Sequence, residues 1–190
     1  NRWYERYVEF KDSKKPKYKD ILFNIKKFEQ KLKFKISYKQ KFIEYSPLAM
    51  NYLKIITNKI KCNNGGILII DYGYTNKETK NTLQAVSKHK YSGVLDAFGK
   101  SDITYNLSFN LVNQIIRTFG LFCSLTTNQR NFLIKLGIMQ RAEILTKNIP
   151  FSKKADIYFR IKRLIDKNQM GDLFKVMFIT NKKNKFKLGF

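Results

Sequence analysis

The chain has 190 residues, 43% of them apolar, and a formal net charge of +24 from 38 basic against 14 acidic side chains. That apolar share supports one domain spanning 1–190 with a core of its own, and no apolar run reaches the roughly 20 residues a membrane-spanning helix needs. One histidine and two distant cysteines, Cys62 and Cys123, exclude a zinc site, which takes four N or S ligands at short spacings; no metal is expected, and the thiols read as reduced groups of a cytosol or matrix.

The chain opens on Asn1 rather than Met, followed by the aromatic run Trp3-Tyr4-Glu5-Arg6-Tyr7, which reads as entry in the middle of a protein. Trp3–Phe10 predicts a strand, Asp12–Pro16 a polar turn, and Ile21–Ile25 a second short strand. Between Lys31 and Tyr38, Leu32, Phe34, Ile36 and Tyr38 alternate with polar residues, the period of a half-exposed strand. Ser46-Pro47 then starts a helix, with serine as cap and proline in the first turn. Its apolar face holds Leu48, Ala49, Tyr52, Leu53, Ile56 and Ile60, which carries it to about Lys61. Asn63-Asn64-Gly65-Gly66 ends that helix and feeds Ile67-Leu68-Ile69-Ile70-Asp71-Tyr72-Gly73-Tyr74.

This last run lacks alternation, so it predicts a strand buried on both faces in a parallel sheet. In open α/β sheets ligands lie beyond the carboxyl ends of the strands, where Asp71–Tyr74 are expected. Residues 75–107 show no clear period, and a stretch of that length is more often functional than idle. Ser108 caps a helix that turns Leu111, Val112, Ile115, Ile116 and Phe119 inward and stops at Gly120. A short strand at Leu121–Leu125, helices at about 128–148 and 153–168, and a late antiparallel edge strand at Leu173–Ile179 complete the pattern. The fold class is α/β, with a mixed sheet and flanking helices.

The charge has two readings. A strongly basic field attracts polyanions, and aromatics interleave with lysine over residues 23–45 as they do on stacking platforms. Against this, the excess is mostly Lys rather than Arg, the better bidentate phosphate ligand, and it is spread from Lys11 to Lys187. A lysine-rich solvated surface accounts for that distribution, so a nucleic-acid partner is possible but not favoured.

Taken in order, several short motifs form a set: Trp3-Tyr4-Glu5-Arg6, Ile43-Glu44-Tyr45-Ser46-Pro47, and Gly66-Ile67-Leu68-Ile69-Ile70-Asp71-Tyr72-Gly73. Thr82-Leu83-Gln84-Ala85-Val86 with His89 follow, then Asp102-Ile103-Thr104, Gln129, Phe132-Leu133, Leu136-Gly137-Ile138, Arg141-Ala142, Gln169-Met170-Gly171 and Phe174-Lys175-Val176. The series resembles the S-adenosylmethionine-dependent methyltransferases of the MidA type, which have a mitochondrial relative that methylates an arginine of a respiratory complex I subunit. The resemblance implies a Rossmann-like class I fold, of which this chain is the C-terminal portion. It also implies S-adenosyl-L-methionine as cofactor, held mainly by a glycine-rich loop in a missing N-terminal segment; no Gly-x-Gly-x-Gly stands in this chain. Two positions depart from the family pattern: Asn106 replaces a histidine, and Arg130 replaces a glycine.

On this resemblance the chain is a protein-modifying enzyme portion, with arginine as an acceptor. Its partners are a protein substrate and the N-terminal half of the same enzyme, and its compartment is a bacterial cytoplasm or a mitochondrial matrix. A guanidinium is always protonated, so carboxylates must hold it and receive its proton. Asp71, Asp102 and His89 are the catalytic candidates. Tyr72, Gly73, Tyr74, Gln84 and Glu44 are the substrate-side candidates, and no cofactor-binding residue is identified. The rival readings are a catalytically inactive remnant and a basic binding module. Half a Rossmann sheet also predicts a bare strand edge and an exposed apolar face.

Overall fold

The computed structural model describes residues 2–10, 15–96, 99–181 and 188–190; most of the turn expected at 12–16 lies outside the described residues. The chain divides into two compact units, Asn1–Tyr45 with Glu78–Asn106, and Ser46–Lys77 with Leu107–Phe190. In the first unit, β1 (Trp3–Glu9) and β2 (Lys17–Phe23) form an antiparallel hairpin from Trp3↔Phe23 to Glu9↔Lys17. Arg6 and Asp20 face each other in that register and join through two 2.8 Å hydrogen bonds. The bonded Arg6 guanidinium holds the Asp20 carboxyl below its ordinary range.

Where an alternating strand was expected at Lys31–Tyr38, the chain instead ends helix α1 (Ile25–Leu32) and turns. Ile25, Phe28 and Leu32 recur at helical spacing, and the Asn24 side chain accepts from the Lys27 N–H at 3.0 Å. Phe28 packs edge-on against both Phe23 and Tyr45, at 5.4 and 4.9 Å between ring centroids. Lys33 takes a left-handed φ of 64° and closes the helix. The alternation beyond it is local: Ile36 is buried, while Tyr38 is exposed.

The second unit begins with α2 (Pro47–Asn63), started as the sequence predicts, since Ser46 Oγ accepts from the Ala49 N–H at 3.2 Å. Its buried stripe is narrower than expected: Leu53, Thr57 and Ile60 are buried, whereas Leu48, Tyr52 and Ile56 are exposed. β3 (Gly66–Tyr74) follows as predicted, but it runs through Asp71 to Tyr74 rather than ending before them.

The chain then returns to the first unit. The segment without evident period contains β4 (Gln84–Ser87), β5 (Lys90–Ser92) and β6 (Asp102–Thr104), an antiparallel sheet in the order β5-β4-β6. Lys88 and His89 join β4 to β5 with φ of 50° and 62°, the two positive values of the mirror-image turn that matches strand twist.

Back in the second unit, β7 (Leu107–Ser108) leads into α3 (Phe109–Thr118), capped by Ser108 and followed by Gly120 at φ +71°. β8 (Phe122–Cys123) and β9 (Thr127–Asn128) precede α4 (Gln129–Lys135), α5 (Ile138–Thr146) and α6 (Phe151–Ile165), and β10 (Phe174–Thr180) closes the unit. The sheet order is β7-β3-β10-β8, with β9 also on β10. Two expectations are corrected here. β10 is antiparallel as predicted but lies inside the sheet, and β3 pairs antiparallel with it from Gly66↔Thr180 to Tyr72↔Phe174. Among the described residues, β3 meets a parallel neighbour only at Gly73↔Leu107 and Tyr74↔Ser108.

Nor is β3 buried on both faces. Leu68, Ile70 and Tyr72 share one face at 45, 46 and 43% exposure. Among the described residues no strand pairs with the second edge of β3 from Gly66 to Tyr72, because β7 is only two residues long. The fully buried side chains come instead from α3, with Phe109 and Ile116, and from both faces of β10, with Val176 on one and Met177 and Ile179 on the other. A Cβ on Gly73 would stand 2.4 Å from the Leu107 carbonyl oxygen and 2.6 Å from the Phe109 ring, so glycine is what lets β7 come alongside.

Both cysteines are free thiols, Cys62 exposed and Cys123 half-buried. Burial pushes the Cys123 thiol up to about 11, with the Arg117 charge acting weakly the other way. The raised value means the folded state keeps a proton the unfolded chain gives up, so this group's contribution to stability is present below about pH 9 and is lost as pH rises toward 11. At pH 8 iodoacetamide should modify Cys62 quickly and Cys123 only on unfolding. Peptide mapping showing equal labelling of both in the folded protein would contradict the burial.

Candidate functional site

The eight candidates fall into two groups, one in each unit. Asp71, Tyr72, Gly73 and Tyr74 are the last four residues of β3. Asp71 is exposed, lies opposite Lys175 in the β3–β10 register, and its Oδ1 accepts from the following Tyr72 N–H at 2.7 Å. Tyr72 packs on Phe174, with 4.1 Å between ring centroids. Tyr74 is buried beside β7, and Gly73 is filled by Leu107 and Phe109. In this stretch Asp71 and Tyr72 are therefore the side chains that face solvent.

Glu44, Gln84, His89 and Asp102 belong to the other unit. The Glu44 carboxylate is engaged on both oxygens: Oε1 accepts from the Thr82 and Leu83 N–H groups at 2.7 and 2.8 Å, and Oε2 from Thr82 Oγ1 at 2.5 Å. Thr82 Oγ1 in turn accepts from the Asn106 N–H at 2.9 Å. This network ties the stretches around Glu44, Thr82 and Asn106 of the first unit together, so Glu44 acts here as a backbone clamp. His89 occupies the second turn position between β4 and β5 and is exposed.

Gln84 and Asp102 lie on one face of the small sheet. Directly opposed residues in antiparallel strands share a face, as do residues two apart along one strand. Val86 is opposite both Tyr91 on β5 and Asp102 on β6, and Gln84 is opposite Thr104. Gln84 Nε2 donates to Thr104 Oγ1 at 3.2 Å. Asp102 is exposed, and Tyr91 is 80% exposed. Tyr91 escapes sequence reasoning because it follows Lys88-His89-Lys90 without a period of its own; only the strand register brings it beside Gln84 and Asp102.

The two departures from the family pattern have structural roles. Asn106 supplies the N–H on Thr82, which any residue but proline offers. Arg130 Nη1 donates to the Ile165 carbonyl at 2.9 Å, next to the bond from Gln129 Nε2 to the Leu164 carbonyl at 2.9 Å. Together they fasten the start of α4 to the end of α6.

No group of three or more His, Cys, Asp or Glu residues among the described residues is placed to hold a metal ion. No helix among them is long and apolar enough to cross a membrane. The glycines do not form a nucleotide cradle either. None lies in the loop between a described strand and the helix after it, and a Cβ on Gly66, Gly73, Gly171 or Gly189 would meet the protein's own atoms within 3 Å. The residues described here do not by themselves fit S-adenosylmethionine.

Three comparisons bear on this arrangement. The family model described as "Putative S-adenosyl-L-methionine-dependent methyltransferase" matches residues 1–126, a span that contains all eight candidates. Among curated relatives, the mitochondrial protein arginine methyltransferase NDUFAF7 of Danio rerio is 27% identical over 126 residues, which are 66% of this chain and 29% of that protein. The Xenopus tropicalis protein of the same name is 28% identical over 134 residues, 70% of this chain and 31% of its own length. The chain thus spans under a third of the curated relatives it matches. Two Burkholderia thailandensis crystal structures share its fold. One, an uncharacterized protein, has a TM-score of 0.75 at 21% identity and is matched over 98% of this chain and 51% of its own. The other, a "likely methyl transferase" bound to S-adenosyl-homocysteine, has a TM-score of 0.73 at 22% identity, over 99% of this chain and 49% of its own.

Proposed function

The chain belongs to this family of S-adenosyl-L-methionine-dependent methyltransferases, and from that membership we propose that it forms the acceptor side of an enzyme that methylates a protein side chain. Arginine is the acceptor the relatives' names support. The observation that carries the reading is the family match over residues 1–126, which takes in an open sheet face bearing Gln84 and Asp102.

On this reading the chemistry asked of the chain is positional. A guanidinium is charged, planar and carries five N–H donors, so it must be oriented by acceptors and relieved of a proton. In the second unit the exposed carboxylate that serves this purpose is Asp71, beside Tyr72, where Gly73 and Tyr74 anchor β3 against β7. In the first unit it is Asp102, with Gln84 on the same sheet face and Glu44 holding the Thr82 and Leu83 backbone. His89 marks the rim of the same small sheet. The cofactor would be held mainly by another polypeptide segment, joined along the bare edge of β3 and over Leu68, Ile70 and Tyr72. Compartment follows the same reading: the curated relatives are named as mitochondrial, and a matrix placement suits this chain.

The test is methyl transfer from tritiated S-adenosylmethionine to arginine-containing peptides, with this chain alone and co-expressed with the N-terminal segment of a solved relative. Transfer that requires both polypeptides supports the reading. Absence of transfer from the folded pair sinks it.

A further inference from the structure

We propose that the row Tyr91–Val86–Asp102 on the small sheet of the first unit is a guanidinium subsite, with the Tyr91 ring on one side and the Asp102 carboxylate on the other. The inference rests on the reading above and deepens it, by naming the residues that select the acceptor and adding Tyr91 to them.

Register comes first. Tyr91 and Asp102 both stand opposite Val86, on the two outer strands of a three-stranded sheet. Strands lie about 4.8 Å apart, so the two backbones are about 10 Å apart with their side chains on one face. That gap suits a flat cation between a ring and a carboxylate. Stacking on an aromatic face places a guanidinium within about 6 Å of the ring centre, and charge-assisted bonds to a carboxylate are about 2.8 Å long. Val86 is half-buried and forms an apolar floor beneath it.

Availability comes second. The chain carries 38 basic side chains, yet Asp102 makes no ion pair or hydrogen bond among the described residues, while Asp20, Glu9 and Asp156 are all paired. Tyr91, at 80% exposure, is among the most exposed aromatic residues of the chain. A free carboxylate and a free ring in one row leave both recognition elements for a guanidinium unused. Two residues along, Gln84 spends its amide N–H₂ on Thr104 and keeps its carbonyl oxygen for a further donor.

Selectivity comes third. Lys88 and Lys100, each two residues along the chain from a member of the row, repel cations in general. A cation is held here only where the fork of N–H donors meets Asp102 and the flat face meets Tyr91, which favours arginine over lysine.

The experiment is calorimetric titration of the whole chain, without cofactor, with the peptide acetyl-Gly-Arg-Gly-amide and with its lysine and citrulline counterparts. Citrulline keeps the shape and removes the charge. The arginine peptide should bind, and the citrulline and lysine peptides should bind at least about tenfold more weakly. Asp102→Asn should cost about tenfold in arginine affinity. Tyr91→Leu should cost about threefold, with Tyr91→Phe unchanged, since the ring face and not the hydroxyl makes the contact. Both side chains are exposed, so the melting temperature should not move. Equal binding of arginine and citrulline peptides overturns the proposal. So does an Asp102→Asn protein that binds like the parent, or a folded chain that binds no arginine peptide. Arginine binding that obeys these rules in a chain that never supports methyl transfer upholds the subsite and counts against the methyltransferase reading alone.

Discussion

Phe109→Ala should lower the stability of the second unit by about 3–5 kcal/mol, the largest effect we expect from one side chain. Phe109 is fully buried at the start of α3. Its ring fills the space against Gly73 that a Cβ would otherwise occupy. Truncation leaves a cavity under the only place where β3 meets a parallel neighbour among the described residues, so the junction loses packing on both the helix and the strand side. The urea midpoint of the second unit's transition reads the loss. Phe159→Ala is the control: Phe159 is 73% exposed on α6 and should change stability by no more than about 0.5 kcal/mol. A Phe109→Ala protein that melts with the parent would show that the junction is not packed as described.

Glu44→Ala should destabilise the first unit by about 2–3 kcal/mol, since hydrogen bonds to a charged acceptor count for more than neutral ones. Three donors converge on this carboxylate, two of them the backbone N–H groups of Thr82 and Leu83. Glu44→Gln keeps one oxygen for the Thr82 and Leu83 N–H groups and sets an amide against the Thr82 hydroxyl, so about 1 kcal/mol is the expected loss. Amide exchange at Thr82 and Leu83 separates this from a site role: both should lose protection in the alanine protein and keep most of it in the glutamine protein. Unchanged exchange in both would leave Glu44 without the clamping role.

The parts of the fold legible from sequence are those whose signals are long or chemically specific. Ser46-Pro47 fixes the start of α2, Ser108 and Gly120 bracket α3, and the apolar runs at 67–70 and 173–179 become β3 and β10. The errors arise where the period is short or answers to tertiary contacts. Leu32 to Tyr38 alternates, but Ile25, Phe28 and Leu32 together carry a helix that packs on Phe23 and Tyr45. β4, β5 and β6 are three or four residues each, too short for an alternation to stand out, and their turn is Lys88-His89 rather than a glycine pair. A run such as Ile67–Ile70 says that a strand is apolar on both faces, not that both faces are covered; Leu68 and Ile70 remain half exposed.

The candidate site divides in the same way. Asp71 stands out by its place at the end of an apolar run and Asp102 by its motif, and both are exposed carboxylates on strands. Glu44 came from the same motifs, yet its hydrogen bonds make it a clamp. Tyr91 had no motif to mark it and emerges only from the pairing of β5 with β4.

The most direct test of the account is calorimetric titration of S-adenosyl-homocysteine into the purified chain, with a thermal melt to establish that the sample is folded. If this chain supplies the acceptor side and another segment holds the cofactor, the folded chain alone should give no binding heat, and binding should appear when the N-terminal segment of a solved relative is added. Tight binding by the chain alone would contradict the account, because it would place a complete cofactor site among residues that we find do not form one.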